Sequence, residues 1–320
     1  MQHDDAVYLE KTIKFAELSK RPYAHTFITI GNFDGVHLGH QALIGGMVRD
    51  AHTHGAPAVV VTFFPNPAEF FRPEVQAYYL TTPIEKHVVM ENIGVDELIS
   101  FQFNKQLSEL TAREFLTSLK NNLDLTVLVI GDDFALGKNR LGTIPVIKEL
   151  GEDLGFTVVI INQVQLDHEE ISSTRIRRYL DLGDVAGAGH LLGRPYEISG
   201  IVQHGSDRGA RIGLPTANID HWTKKKLPRV GVYATRVYYQ KMPYMGITNI
   251  GYRPTFETQD IPNIETHLLD FDANLYGEML TLQFIQKLRD EQKFSGIEAF
   301  LEQIEKDKLT ARKIFQDEER

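Results

Sequence analysis

Apolar and polar positions along the chain follow one rhythm up to about residue 186 and another beyond it. In the first part, short continuous apolar runs alternate with longer amphipathic stretches. The runs are Phe27–Ile30, Ala58–Phe64, Leu98–Phe103, Leu125–Ile130 and Phe156–Val164. Each is too short for a helix of ordinary length and rich in β-branched or aromatic residues, which predicts buried strands. Between them, Gln41–His54, Leu80–Asn92, Thr111–Lys120 and Ile144–Leu154 predict helices, the third opened by a Thr111/Glu114 capping box. Strand and helix in strict alternation imply a doubly wound parallel sheet. In the second part, Tyr196–Val202, Val232–Tyr239, Tyr244–Ile250, Ile264–Phe271 and Met279–Leu288 predict strands with turn residues and no helices between them. That pattern predicts an antiparallel β-barrel, followed by a terminal amphipathic helix from Gly296 to about Phe315. The expected fold is therefore α/β followed by β, with domains at 1–186 and 187–320.

Composition narrows the function. A net charge of −9 over 320 residues argues against a duplex nucleic-acid partner, which needs a basic surface, but leaves a small nucleotide ligand open. The absence of cysteine excludes disulfides, thiolate metal sites and cysteine nucleophiles. No apolar run approaches membrane-spanning length, and Met-Gln-His-Asp-Asp does not read as a signal peptide, so a cytoplasmic protein is expected.

The chemistry concentrates in residues 29–44. After the first strand, Gly31 and Gly35 permit a sharp turn, and His37, Gly39 and His40 lead into a helix. A strand, a glycine turn and a helix start make an anion cradle, because the first helical N–H groups are unpaired. Two imidazoles at that mouth can donate to phosphate oxygens. A Walker-type phosphate loop is absent: Gly131–Asn139 comes near, but it is one residue too long and Asn139 replaces the hydroxyl. His52 and His54 precede Gly55 and suit a helix C-terminus better than a zinc site. The loops Phe64–Phe71 and Gly131–Arg140 are expected at the carboxyl edge of the sheet, where ligands of such sheets bind. Ile171–Leu180 reads as a helix capped by Ser172 or Ser173, whose hydroxyls and arginines suit a triphosphate.

In the second half, Gly205, Gly209 and Gly213 form a flexible stretch able to lie over phosphates. Thr216 and Asn218 are two apart, so on a strand both oxygens face one side and could hold Mg²⁺. Glu265 and His267 share that spacing, with Ile264, Thr266 and Leu268 facing the other way, and a carboxylate there could take a proton from an attacking hydroxyl. Lys224–Lys226 reads as a solvated basic loop. Each of these patterns, taken alone, also fits an ordinary turn or barrel strand.

The His-x-Gly-His turn after Gly-x-Phe-Asp-Gly, with the Ser-Ser-Thr-x-x-Arg stretch downstream, resembles the nucleotidylyltransferase superfamily. Gly-x-Pro-Thr-Ala-Asn, Gly231-Val-Tyr-Ala, Asn249-Ile-Gly-Tyr-Arg-Pro-Thr-Phe, Glu265-Thr-His-Leu-Leu-Asp, Leu275-Tyr-Gly and Arg289-Asp-Glu-Gln-Lys-Phe resemble riboflavin kinases. In this order and at this length, the chain resembles the bacterial bifunctional riboflavin kinase/FAD synthetase family over essentially its whole extent. The resemblance implies ATP as co-substrate, Mg²⁺, and riboflavin, FMN and FAD as substrates and products. It implies that His37 and His40 stabilise the triphosphate, that Asn32, Phe33, Asp34 and Gly35 wrap the adenylyl group, and that Ser173, Thr174 and Arg177 hold the outer phosphates. Asn66, Asp133 and Arg289 are the implied flavin-side contacts. Thr216 and Asn218 would hold Mg²⁺, and Glu265 would be the general base of the kinase. The chain departs from the common pattern at Leu136, Ala210 and Leu214, where flavin affinity rather than activity is in question. The rivals are a one-activity adenylyltransferase with a docking barrel, a flavin-storage module without turnover, and another nucleotidylyltransferase fused to an unrelated barrel.

Overall fold

The computed structural model describes residues 5, 8–72, 78–162, 164–166, 169–204, 214–252 and 262–318. The chain divides into two compact units, Met1–Ser173 and Thr174–Arg320.

The first unit is built on a five-stranded parallel sheet. Its strands are β1 (Thr26–Ile30), β2 (Ala58–Phe64), β3 (Glu97–Gln102), β4 (Leu125–Gly131) and β5 (Thr157–Ile161), in the spatial order β3-β2-β1-β4-β5. All five residues of β1 are buried, as its apolar sequence requires of a central strand. Alternate side chains feed two cores. Ile28, Ile30, Val59, Val61, Leu128 and Ile130 meet one set of helices, and Phe27, Val60 and Val129 meet the other. Helices thus cover both faces: α1 (Leu38–Thr53), α2 (Pro67–Phe71), α3 (Pro83–Ile93), α4 (Ala112–Leu123) and α5 (Ile144–Leu154). The chain runs outward from β1 to β3 and returns to start again at β4, on the other side of β1. The switch point therefore lies between the carboxyl ends of β1 and β4, where open α/β sheets bind ligands. A short antiparallel pair, β6 (Gln165–Leu166) and β7 (Glu169–Glu170), follows β5.

The second unit contains α7 (Val185–Leu192) and a closed barrel in the order β10-β11-β12-β9-β8-β13, with every neighbouring pair antiparallel. Its strands are β8 (Tyr196–Gln203), β9 (Ala217–His221), β10 (Gly231–Tyr239), β11 (Met242–Gly251), β12 (Asn263–Leu268) and β13 (Met279–Arg289). The second unit opens with α6 (Ser173–Leu182), whose first residue closes the first unit, and the chain ends with α8 (Ile297–Glu318). The barrel interior holds a chain of hydroxyls, Thr235 to Thr248 at 2.7 Å and Thr248 to Thr266 at 2.9 Å, all three side chains fully enclosed. Each of these hydroxyls can donate once and accept, so the row is satisfied internally. On the outside, Ala311 and Phe315 of α8 pack on Val232, Ala234 and Ile247.

The sequence pattern misplaces three elements. Phe64–Phe71 is not all loop: Asn66 caps the short α2 by accepting from the Ala68 N–H at 2.9 Å, with Pro67 at the first helical position. Residues 181–190, where the pattern predicts no element, hold most of α7. Asp184 caps it, and Val185, Ala188, Leu191 and Leu192 form its buried stripe. The barrel has a sixth strand, β9, whose five residues were too few to stand out beside Pro215.

Candidate functional sites

The site of the first unit forms where β1 gives way to α1. Phe33, Gly35 and Val36 all have positive φ, at 46°, 83° and 42°, so the turn is left-handed at two residues that carry a Cβ. Such a backbone persists only where its surroundings hold it. Gly31 is required: a Cβ there would lie 2.7 Å from Cζ of Phe33, whose buried ring fills the space above it. Asp34 supplies much of the restraint. Its buried carboxylate accepts from the backbone N–H groups of Leu80 (3.0 Å) and Thr81 (3.3 Å), and the Gly35 N–H donates to the Thr81 hydroxyl at 3.2 Å. Asn32, by contrast, exposes its side chain.

His37 caps α1, its Nδ1 accepting from the His40 N–H at 3.3 Å. The two rings stack with centroids 3.6 Å apart, and Phe33 meets His40 edge-on at 5.2 Å. Burial pushes His40 well below the ordinary histidine range, and the His37 and Lys86 charges push in the same direction. His40 is therefore a neutral ring at pH 7. Its Nδ1 is enclosed and has no hydrogen-bond partner among the described residues. The downstream motif reaches this turn directly: the Ser173 hydroxyl donates to the Asp34 carbonyl at 2.8 Å. Thr174, exposed, and Arg177, half-buried, continue on α6 in the second unit.

Asp133 follows β4 and is exposed, its Oδ1 lying 3.2 Å from where a Cβ of Gly131 would stand. Asn66 is buried, and its side-chain oxygen is committed to the α2 cap, while its N–H donates to the Tyr79 hydroxyl at 2.8 Å. His52 and His54 occupy the last turn and C-cap of α1, bonded to Asp96 (2.9 Å) and to the Asp50 carbonyl (2.8 Å).

One residue of this site went unnoticed in the sequence. Lys86, in the first turns of α3, is buried and donates to the Asn32 carbonyl at 2.6 Å and to the Thr62 hydroxyl at 3.3 Å. The available signal was a lysine four residues before the core residue Met90, on the inward stripe of its helix.

The second site is a row across the outer face of the barrel. Strand register places Gln203 beside Asn218, Asn218 beside Glu265, and Glu265 beside Asn249. Alternation sends Ile264, Thr266 and Leu268 inward, as the sequence spacing predicts. Asn263, also unnoticed in the sequence, ties the row together: its amide donates to Glu265 at 2.8 Å and to Asn218 at 3.2 Å. Thr216 stands one residue before β9, and His267 bonds the Pro215 carbonyl beside it at 2.8 Å. Burial lowers the His267 pKa, partly opposed by that bond. Asn249 continues the row to Glu291 at 3.1 Å. Both carboxylate oxygens of the buried Asp307 on α8 hold the Arg289 guanidinium, which also lies over the Phe294 ring. Gly205, Gly209 and Gly213 lie outside the described residues.

Comparison with known proteins assigns each half separately. Residues 19–175 match the family model described as FAD synthetase, and residues 192–315 match the one described as riboflavin kinase. A bifunctional riboflavin kinase/FMN adenylyltransferase of Pseudomonas fluorescens is 40% identical over 89% of this chain and 91% of its own length. Proteins of the same description from Bacillus subtilis and Escherichia coli K12 are 37% and 36% identical, each over 93% of this chain and 95% of the relative. A solved structure from Streptococcus pneumoniae, named a macrolide-efflux protein, matches with a TM-score of 0.86 and 30% identity, over 94% of this chain and 99% of that one. Among the described residues no helix is long and apolar enough to cross a membrane. With both halves matched in order and relatives aligned over nearly their full length, this chain belongs to the bifunctional riboflavin kinase/FAD synthetase family.

Proposed function

We propose that the chain makes FAD from riboflavin in two ATP-dependent steps at two separate sites, in a cytoplasmic setting. The barrel half phosphorylates riboflavin to FMN. The sheet half joins FMN to the adenylyl group of ATP and releases pyrophosphate. The matched segments, 19–175 and 192–315, support a reading in which 1–186 carries adenylylation and 187–320 the kinase. The observation that carries this reading is that each matched segment holds its own polar constellation: a helix mouth with two imidazoles in one, a carboxylate–amide row in the other.

At the first site, the phosphate of FMN attacks the α-phosphorus of ATP, forming one P–O bond as the bond to the β-phosphate oxygen breaks. No group on the enzyme needs to be modified, so catalysis is positioning and charge stabilisation. The α1 N-terminus presents N–H groups and the positive end of its dipole. His37 and His40 donate to the triphosphate, and the neutral state of His40 leaves it an N–H to give without repelling Lys86. The Gly31–Gly35 turn wraps the adenylyl group, and Ser173, Thr174 and Arg177 take the outer phosphates. Asp133 remains a flavin-side candidate. Asn66 and Arg289 are flavin-side candidates as well; the Asn66 side-chain oxygen caps a helix and Arg289 pairs with Asp307, which fixes both side chains in place.

At the second site, Glu265 accepts the proton of the riboflavin hydroxyl as it attacks the γ-phosphorus, and ADP leaves. Asn263 holds the Glu265 carboxylate and Asn218 in fixed relation. The donors fit Mg²⁺: a hydroxyl from Thr216 and an amide oxygen from Asn218 are hard oxygen ligands, beside a carboxylate in register. Bound there, the ion would neutralise polyphosphate charge. Gly205, Gly209 and Gly213 would cover ATP.

The test is a time course with riboflavin, ATP and Mg²⁺. FMN should appear first and FAD follow. Retention of flavin with no ATP consumed would instead identify a storage protein.

A further inference from the structure

Lys86 is costly where it stands. An ammonium buried at 8% exposure loses most of its hydration, and it has only two acceptors among the described residues. It sits one residue past the Thr82/Glu85 capping box, at the positive end of α3, and near the positive mouth of α1. Among the described residues no carboxylate pairs with it directly; Asp34 attracts it from a distance while its own oxygens serve the 80–81 N–H groups. The protein thus concentrates positive potential beneath the adenylylation turn. A polyphosphate at that mouth is the natural counter-charge.

The geometry shows what the lysine holds. The Asn32 carbonyl accepts from Lys86 and also from the Thr62 hydroxyl at 3.2 Å, and Thr62 in turn accepts from Lys86. This triangle ties the 31–35 turn to β2 and α3 at the point where Phe33 departs into positive φ. Building on the two-site reading above, we infer that Lys86 is a positioning residue for adenylyl transfer, fixing the turn through Asn32 and acting on the His37–His40 pair through its buried charge.

The charged and titratable groups that act on it or feel it are Asp34 on the turn and His40 on α1; Glu85, next to it on its own helix, turns back to the Thr82 N–H. Burial, partly opposed by Asp34, brings Lys86 down to about 8. Its clamp is then charge-assisted at pH 7 and weakened above pH 8. An arginine in its place would stay charged at any working pH.

The experiment measures FAD formation from FMN and FMN formation from riboflavin on the full chain, for wild type, Lys86→Met, Lys86→Arg and His37→Ala. Lys86→Met should lower kcat for FAD formation on the order of 10²-fold with a much smaller change in KM for ATP, leaving FMN formation at wild-type rate. Lys86→Arg should lose about tenfold, from the displaced donor. The wild type should show an alkaline limb in kcat/KM for FAD formation near pH 8, absent from Lys86→Arg. An unchanged kcat in Lys86→Met, or the same limb in Lys86→Arg, overturns the inference. If Lys86→Met fails to fold and loses both activities, the Lys86→Arg rate and pH profile decide alone. His37→Ala separates the two levels: if it retains FAD formation the site assignment itself falls, whereas if it abolishes FAD formation while both Lys86 variants are silent, only the role of Lys86 falls.

Discussion

The two units build their proposed polyphosphate sites by opposite means. In the sheet unit the site is one βα connection, with its main groups within ten residues of each other in sequence, clamped from behind by the 79–86 segment. In the barrel unit the groups come from separate strands, and register, with the Asn263 amide bridging two of them, aligns Asn218, Glu265 and Asn249. The first site depends on a backbone held in an unfavourable conformation and on buried charge. The second depends on a relaxed strand pleat with its hydroxyl-lined interior satisfied. The sheet site should therefore be sensitive to its supports, and the barrel site to its reacting groups.

The sharpest break between them is Glu265→Ala. Removing a general base should lower FMN formation by about 10³-fold, while added FMN is still converted to FAD; assays of the two steps on one preparation check this. His37→Ala should do the reverse, lowering FAD formation by roughly 10²- to 10³-fold as a donor to the reacting phosphates is lost. Loss of both activities from either substitution in a folded protein would merge the two sites. Asp34→Ala should act on stability first. It strands the Leu80 and Thr81 N–H groups in the interior and should destabilise the sheet unit by about 3 kcal/mol. The single tryptophan, Trp222, is buried in the barrel unit, so its fluorescence transition in urea should stay in place while the far-ultraviolet circular dichroism transition moves.

A smaller effect should come from pH. His40 is held below its ordinary value near 6.5, so below that pH the unfolded chain binds a proton that the folded unit refuses. Its contribution to stability is complete above about pH 6.5 and declines as pH falls through that value, by at most about 1.4 kcal/mol per pH unit. In His40→Gln that part of the acid sensitivity should vanish, read by circular dichroism melts against the Trp222 signal. An unchanged acid slope would mean that His40 is not enclosed as the structure has it.

Local signals account for what was legible in advance. The Thr111/Glu114 capping box marks its helix start by interactions three residues apart, and it is where the pattern puts it. The His37–His40 turn was readable because glycines, cap and helix start are contiguous. Asn66 was misread because a Pro-Asn-Pro sequence suits both a loop and the start of a short helix, and only the Ala68 N–H distinguishes them. The α7 helix was missed because Gly187 and Gly189 lower its intrinsic propensity, and burial against the barrel strands overrides that.

Sequence by itself determined the alternation of elements, the two fold classes, the family, and the local geometry of the candidate residues: the imidazoles at the helix mouth and the Glu265 pleat. Tertiary structure alone decided which groups support them. Lys86 meets Asn32 across 54 residues, Ser173 meets Asp34 across 139, and strand register sets Asn218 beside Glu265. A buried lysine and a solvated one have the same sequence signature, because burial is set by everything packed around the side chain rather than by its neighbours along the chain.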